Sequence, residues 1–388
     1  MIFIATDFKA SLDSNMVYLA PKAYSIFKRY AMILGEVCLC SRVESINKSN
    51  SRYEQASYVT NLIAVRGYKE LLLHKYDKQI NDYILQSELV IVRLPSIIGF
   101  YVASIARKYN KPILTEAMGD AWDSYWNHGV SGKVLAPIMS LEMKRWMKSS
   151  NYAIYVTNEY LQRRFPTRAP SIAASNVSIT TTSKDILGKR LDKIRHFDRN
   201  KFSIATLGGV DVIAKGHRYV MKAIAELNKK NNIEIDYYII GGGNQTRLKK
   251  LAKDLKISDY IFFTGELTMS EVFEKLDEID IYVQPSLQEG LPRSVIEAMS
   301  RGCPTIGSRT AGTPELISEE CIFNRASHKA IIDKILWFRE QNLEFYAQKN
   351  FEESLKYSDE IISDRRNRFL RYIKKDLQAI QTPQHHNK

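Results

Sequence analysis

Two glutamates, Glu289 and Glu297, stand within PSLQEGLPRSVIEAMSRGCPTIGSRTAGTPELI, residues 285–317. The first follows IDIYVQ, an apolar run that reads as a strand; the second lies two turns inside PRSVIEAMSR, which reads as a helix stopped by Gly302. In an open α/β sheet, the end of such a strand borders the ligand crevice. The amides of Gly290 and Leu291 fall where the helix begins, and unpaired N–H groups there favour a diphosphate. Glu297 can accept hydrogen bonds from paired ribose hydroxyls, and Glu289 from hydroxyls of a bound sugar. One segment thus has groups suited to three parts of a nucleotide-sugar.

The elements that must position these residues alternate between strand and helix. FSIATL (202–207) leads through a Gly-containing loop into HRYVMKAIAELNKK, where Val220, Ala223, Ile224 and Leu227 keep helical spacing. IDYYII, YIFFT, IDIYVQ and CPTIGS supply further strands, and Thr268 with Glu271 forms a capping box. This alternation implies a parallel sheet covered on both faces. The first half repeats it with strand-like runs at 2–6, 36–40, 88–92, 112–115 and 152–156, and helical stretches at 18–33, 98–109 and 136–147. The expected organisation is an N-terminal Rossmann-like domain over 1–195 and a C-terminal one over 196–356. The charged stretch 183–200 reads as the hinge. An amphipathic helix near 357–380, with Ile361, Ile362, Phe369 and Ile373 available for packing, is expected to return to the first domain, followed by a disordered tail at 381–388.

The chain has 388 residues, enough for two cores, and 45% apolar against 26% charged residues, the balance of a folded protein. A net charge of +13 favours anionic partners. The basic residues are spread along the chain, which argues against a nucleic-acid tail and for a basic cleft or face. Cys38, Cys40, Cys303 and Cys321 lack CxxC spacing, which fits a reducing, cytoplasmic compartment. The N-terminus reads as a first strand and not a signal peptide. The most apolar stretch, Leu94 to Ala106, is shorter than the roughly 20 residues a membrane span needs, so membrane contact is expected to be peripheral.

With its flanking GCP and AGTPELI, EGLPRSVIE resembles the E-x7-E motif of the retaining glycosyltransferases of family four, which have the GT-B fold. The resemblance extends over roughly Phe202 to Ile317. GGVDVIAKGH, containing Gly208 and Gly209, resembles the family's first loop of the C-terminal domain, where the lysine matching Lys215 binds the donor diphosphate. A fixed cation there stabilises the charge of a departing nucleoside diphosphate. Many members carry an arginine where this chain has Gly209, and Arg293 is a candidate substitute for its charge. IIGGGNQTRL, with Gly242, and FFTGEL, with Gly265, resemble the loops near the nucleotide base. In the N-terminal half, Arg93 to Asp120 and Tyr155 to Pro166 look like the acceptor-side domain of polysaccharide-building members, and SNV (175–177) falls where relatives have Asn-Gly. Asp120 and His128 would face the cleft in the family pattern, orienting the sugar or acceptor hydroxyl. SLDSNMVYL stands where relatives have a Gly-Gly loop.

The resemblance implies an α/β GT-B architecture, two Rossmann-like domains with parallel sheets facing across a cleft. It also implies retaining transfer from a nucleotide-sugar, expected to be a UDP-sugar, to a saccharide or lipid-linked saccharide in surface polysaccharide assembly. No DxD sequence is present, so no metal or other cofactor is expected and Lys215 with helix amides takes that role. Lys144 to Lys148, KRWMK, suggests attraction to an anionic membrane on the inner face. Two competing readings are a silent nucleotide-sugar-binding protein and a GT-B-like sugar-nucleotide epimerase.

Overall fold

The computed structural model describes residues 1–14, 16–44, 53–127, 129–177, 179, 184–230 and 233–381. The chain divides into two compact units, Met1–Asn176 with Ser363–Lys388, and Val177–Ile362.

In the second unit, six strands run in the order Ile261–Gly265, Glu234–Ile240, Lys201–Leu207, Ile281–Gln284, Thr305–Ser308, Ile322–Phe323. All neighbours pair in parallel. Chain order runs outward on both sides from Lys201–Leu207 and Ile281–Gln284, so the crossovers reverse direction between these two strands. Such a switch point leaves a crevice beyond the strand ends. Helix His217–Lys230 buries Val220, Ala223, Ile224 and Leu227, the stripe its spacing predicts. The capping box at Thr268 is present: the Thr268 amide donates to Glu271 Oε2 at 2.7 Å, and Thr268 Oγ1 accepts from the Glu271 amide at 3.4 Å. Gly302 has a φ of 60°, the left-handed turn that ends helix Arg293–Ser300.

The stretch read as a hinge contains a helix, Lys184–Arg195, grouped with the second unit. Its apolar residues Ile186, Leu187, Leu191 and Ile194 are only half-buried. Instead, buried Arg190 donates to the carbonyls of Leu276 at 2.5 Å, Ile279 at 2.6 Å and Arg301 at 3.2 Å, covering acceptors that two helix ends leave open. The unit boundary therefore falls at 176/177 and not near 195.

The first unit has the same parallel logic. Its strands run Val59–Val65, Val37–Val43, Ile2–Asp13, Leu89–Leu94, Ile113–Ala117, Tyr152–Tyr155, Ser171–Ala173. The far end of Ile2–Asp13 leaves this plan and pairs antiparallel with Met16–Leu19, which pairs with Glu54–Gln55. SLDSNMVYL is therefore largely a hairpin. Helix Asp359–Gln381 supplies buried Phe369, Leu370, Ile373 and Leu377, while Ile361, expected to pack, is 44% exposed. Lys374 Nζ donates to the carbonyl of Ile33 at 2.9 Å. The expected tail lies outside the described residues from 382 onward. Among the described residues, no helix is long and apolar enough to cross a membrane.

Candidate functional site

Three glycine-bearing loops meet at the strand ends of the second unit. The Gly208 amide donates to the Ile240 carbonyl at 2.8 Å, the Val210 amide to Gly242 at 3.0 Å, and the Gly241 amide to Gly265 at 3.1 Å. A side chain at Gly241 would put its Cβ 2.4 Å from the Gly208 carbonyl oxygen, so these backbones approach too closely for any other residue. Gly216 is more constrained. Its φ is 76°, and a Cβ there would lie 2.0 Å from the Pro285 carbonyl oxygen. The loop after Lys201–Leu207 is thereby pressed onto the loop after Ile281–Gln284, and the Leu287 amide seals it to the Ala214 carbonyl at 2.7 Å.

This contact brings the two charged candidates together. Lys215 Nζ donates to Glu289 Oε1 at 2.8 Å. The same oxygen accepts from Ser286 Oγ at 2.7 Å and Gln284 Nε2 at 2.9 Å. All three partners fall on Oε1, and among the described residues Oε2 accepts no hydrogen bond. Gln284 is itself fixed, its Oε1 accepting from Tyr282 OH at 2.6 Å and Ser294 Oγ at 3.0 Å. Sequence reasoning missed these supports; their signal is the polar Gln-Pro-Ser that follows an apolar strand.

Glu297 is only 6% exposed, although a glutamate on an ordinary helix face is solvated. Burial raises the Tyr282 phenol pKa, and the charges of Glu297 and Glu289 add to that rise. Both carboxylates therefore act on one buried ring. Neither the Gly290 nor the Leu291 amide donates to another described residue, while the Gly290 carbonyl accepts from the Gly312 amide at 2.8 Å. Arg293 opens helix Arg293–Ser300, half-buried, and forms no side-chain hydrogen bond or ion pair among the described residues. Behind the loop, His217 is buried with Nδ1 3.0 Å from Tyr237 OH. Burial pushes its pKa down to about 4, and the Lys215 charge pushes the same way.

The first-unit candidates are placed differently. Asp120 caps helix Ala121–Trp126: Oδ1 accepts from the Trp122 amide at 2.8 Å, and Oδ2 from Tyr160 OH at 2.9 Å and Arg164 Nε at 3.3 Å. At 3% exposure, Asp120 thus has one carboxylate oxygen engaged as the helix cap and the other held by Tyr160 and Arg164. His128 lies outside the described residues. Trp122 and Trp126 stack beside the cap with centroids 5.2 Å apart.

Residues 192–357 match the family described as glycosyl transferases group 1. The chain is similar to Protein CapJ of Staphylococcus aureus, 29% identical over 354 residues and covering 87% of each chain. An 89-residue stretch is 37% identical to the amylovoran biosynthesis glycosyltransferase AmsK of Erwinia amylovora, covering 21% of this chain and 22% of AmsK. Among solved structures, Anabaena HepE in complex with UDP superposes with a TM-score of 0.64 over 97% of this chain and 99% of its own, at 12% identity. That likeness concerns the fold: the expected α/β class with two parallel-sheet domains is the GT-B architecture observed.

Proposed function

We propose that this chain is a retaining, metal-independent glycosyltransferase that moves a sugar from a UDP-sugar to a saccharide or lipid-linked saccharide in surface polysaccharide assembly. The observation that carries the reading is the pairing of Lys215 with Glu289 at the switch point of the second unit, beside two amides without described partners. In this reading the diphosphate lies on the Gly290 and Leu291 amides, and Lys215 stabilises the charge that develops as it leaves. Oε2 of Glu289 accepts from a sugar hydroxyl, Glu297 from the ribose, and Arg293 supplies the charge missing at Gly209. The Gly208, Gly242 and Gly265 loops face the nucleotide. UDP is favoured because the similarly folded HepE holds it, and polysaccharide assembly because AmsK acts in amylovoran biosynthesis.

The test is UDP release from a panel of UDP-sugars with lipid-linked acceptors, in EDTA. Lys215→Ala and Glu297→Ala should lose transfer while melting near the wild type; normal turnover in both would reject the site. UDP binding without turnover would favour the silent binder, and sugar isomerisation without acceptor the epimerase.

Peripheral membrane contact belongs to the same proposal, on a changed basis. Trp146 of KRWMK is 2% exposed and donates Nε1 to Glu142 at 2.9 Å, so it is turned inward. The same helix, Gly129–Ser149, instead exposes Val130, Val134, Ile138 and Leu141 at helical spacing, alongside exposed Lys133, Lys144, Arg145 and Lys148. Sedimentation with anionic vesicles should fall when Lys144, Arg145 and Lys148 are neutralised; unchanged sedimentation would exclude the patch.

A further inference from the structure

Behind the strand ends of the first unit, three arginines gather about one carboxylate. Arg93 and Glu116 are register partners on adjacent parallel strands, and Arg93 Nε donates to Glu116 Oε2 at 2.6 Å. Arg366, from helix Asp359–Gln381, donates Nη1 to Glu116 Oε1 at 3.3 Å. Arg29, from helix Pro21–Leu34, donates Nη2 to Asn176 Oδ1 at 3.1 Å, and the Asn176 amide donates to Glu116 Oε1 at 3.0 Å. Arg93, Glu116 and Arg366 are each under 5% exposed.

The charges do not balance. Guanidinium groups stay protonated, so three cations share a single anion. Among the described residues, no second carboxylate pairs with any of the three, and Arg29 pairs with none. The Nε of Arg29 and the Nε of Arg366 are buried without a hydrogen-bond partner. The carbonyls of Ala174 and Ser175 take up Nη2 of Arg366 at 2.9 and 3.0 Å, but they bring no negative charge; uncompensated buried charge is costly, and a bound anion at Arg29 offsets it. Arg29, Met118 and Asn176 are half-buried, so the cluster reaches the surface on that side.

We infer that this cluster binds a phosphate-type oxyanion, with Arg29 as the residue that meets it. The planar fork of arginine matches phosphate oxygens, and the strand-end position is where α/β sheets take ligands. Set within the proposed transferase, the oxyanion is the phosphate of the acceptor, so this assignment rests on that reading for its biological meaning but not for the binding itself.

The experiment is calorimetric titration of inorganic pyrophosphate and, separately, farnesyl diphosphate into protein saturated with UDP. Wild type, Arg29→Gln, Arg29→Lys and Lys215→Ala are compared. Binding about tenfold weaker in Arg29→Gln, largely restored in Arg29→Lys and unchanged in Lys215→Ala, supports the site; a charge-assisted contact has about that worth. Tighter binding of the prenyl compound identifies a lipid-linked source, and equal binding a free oxyanion. Failure of both compounds to bind, equal affinity in Arg29→Gln, or loss confined to Lys215→Ala overturns the proposal. UDP affinity, measured first on each variant, reports on folding and on the donor site separately.

Discussion

Lys215 and Glu289 neutralise each other across two loops, 2.8 Å apart, with the lysine held on one carboxylate oxygen only. A diphosphate arriving at this corner must compete with Glu289 for the ammonium. Glu289→Gln removes the competitor and a like charge, so UDP should bind about fivefold more tightly, while transfer falls by about a hundredfold because a positioned acceptor for the sugar is lost. Calorimetry with UDP and turnover with UDP-sugar check the two halves. Weaker UDP binding would mean that the pair acts as one unit and not as rivals.

Gly216→Ala tests the seam between the same loops. With a positive φ and a Cβ 2.0 Å from the Pro285 oxygen, alanine must displace backbone. A loss of about 2 kcal/mol or more is expected in urea unfolding, with UDP binding impaired beyond it. An unchanged midpoint would show that the loops part easily.

His217 makes stability depend on pH. The unfolded chain carries it near the ordinary 6.5, the fold near 4, so between these values the unfolded state holds more protons. Its contribution is therefore fully retained above about pH 6.5 and lost as pH falls toward 4, about 2 kcal/mol of it between pH 7 and 5. Urea midpoints of wild type and His217→Gln at pH 7.5, 6 and 5 should converge toward acid pH.

Glu116 should be the most sensitive carboxylate of the first unit. Burial opposes its ionisation, yet Arg93 and Arg366 outweigh burial and hold it well below the usual range. Glu116→Ala leaves buried guanidinium groups without their counter-charge, at a cost of about 3 to 5 kcal/mol. Thermal unfolding followed by circular dichroism should show an early transition, with UDP binding measured separately below it.

The second unit was largely legible because short, mostly apolar runs such as IDYYII and IDIYVQ alternate with helical spacing, and the inner strands Ile281–Gln284 and Thr305–Ser308 are buried throughout. Strand Val59–Val65 escaped notice because Thr60 and Asn61 interrupt its apolar pattern at the sheet edge. Helix Lys184–Arg195 was read as a linker because its charged residues outnumber the half-buried stripe of Leu187, Leu191 and Ile194, and because the hydrogen bonds by which Arg190 docks it leave no apolar signal. Glu289 and Lys215 could be singled out by motif, whereas Gln284 and Ser286, which orient Glu289, left only a polar Gln-Pro-Ser at the strand end, too common a pattern to point to a carboxylate. The arginine cluster was invisible because its members are scattered across four distant segments.

Arg366 reaches Glu116 across a separation of 250 residues. During synthesis the contiguous second unit, Val177–Ile362, is therefore complete before the ribosome has made the segment that finishes the first. A nascent chain that has emerged only as far as residue 362 would carry an assembled second unit beside a sheet still lacking its last helix, a state that chaperones and proteases can recognise.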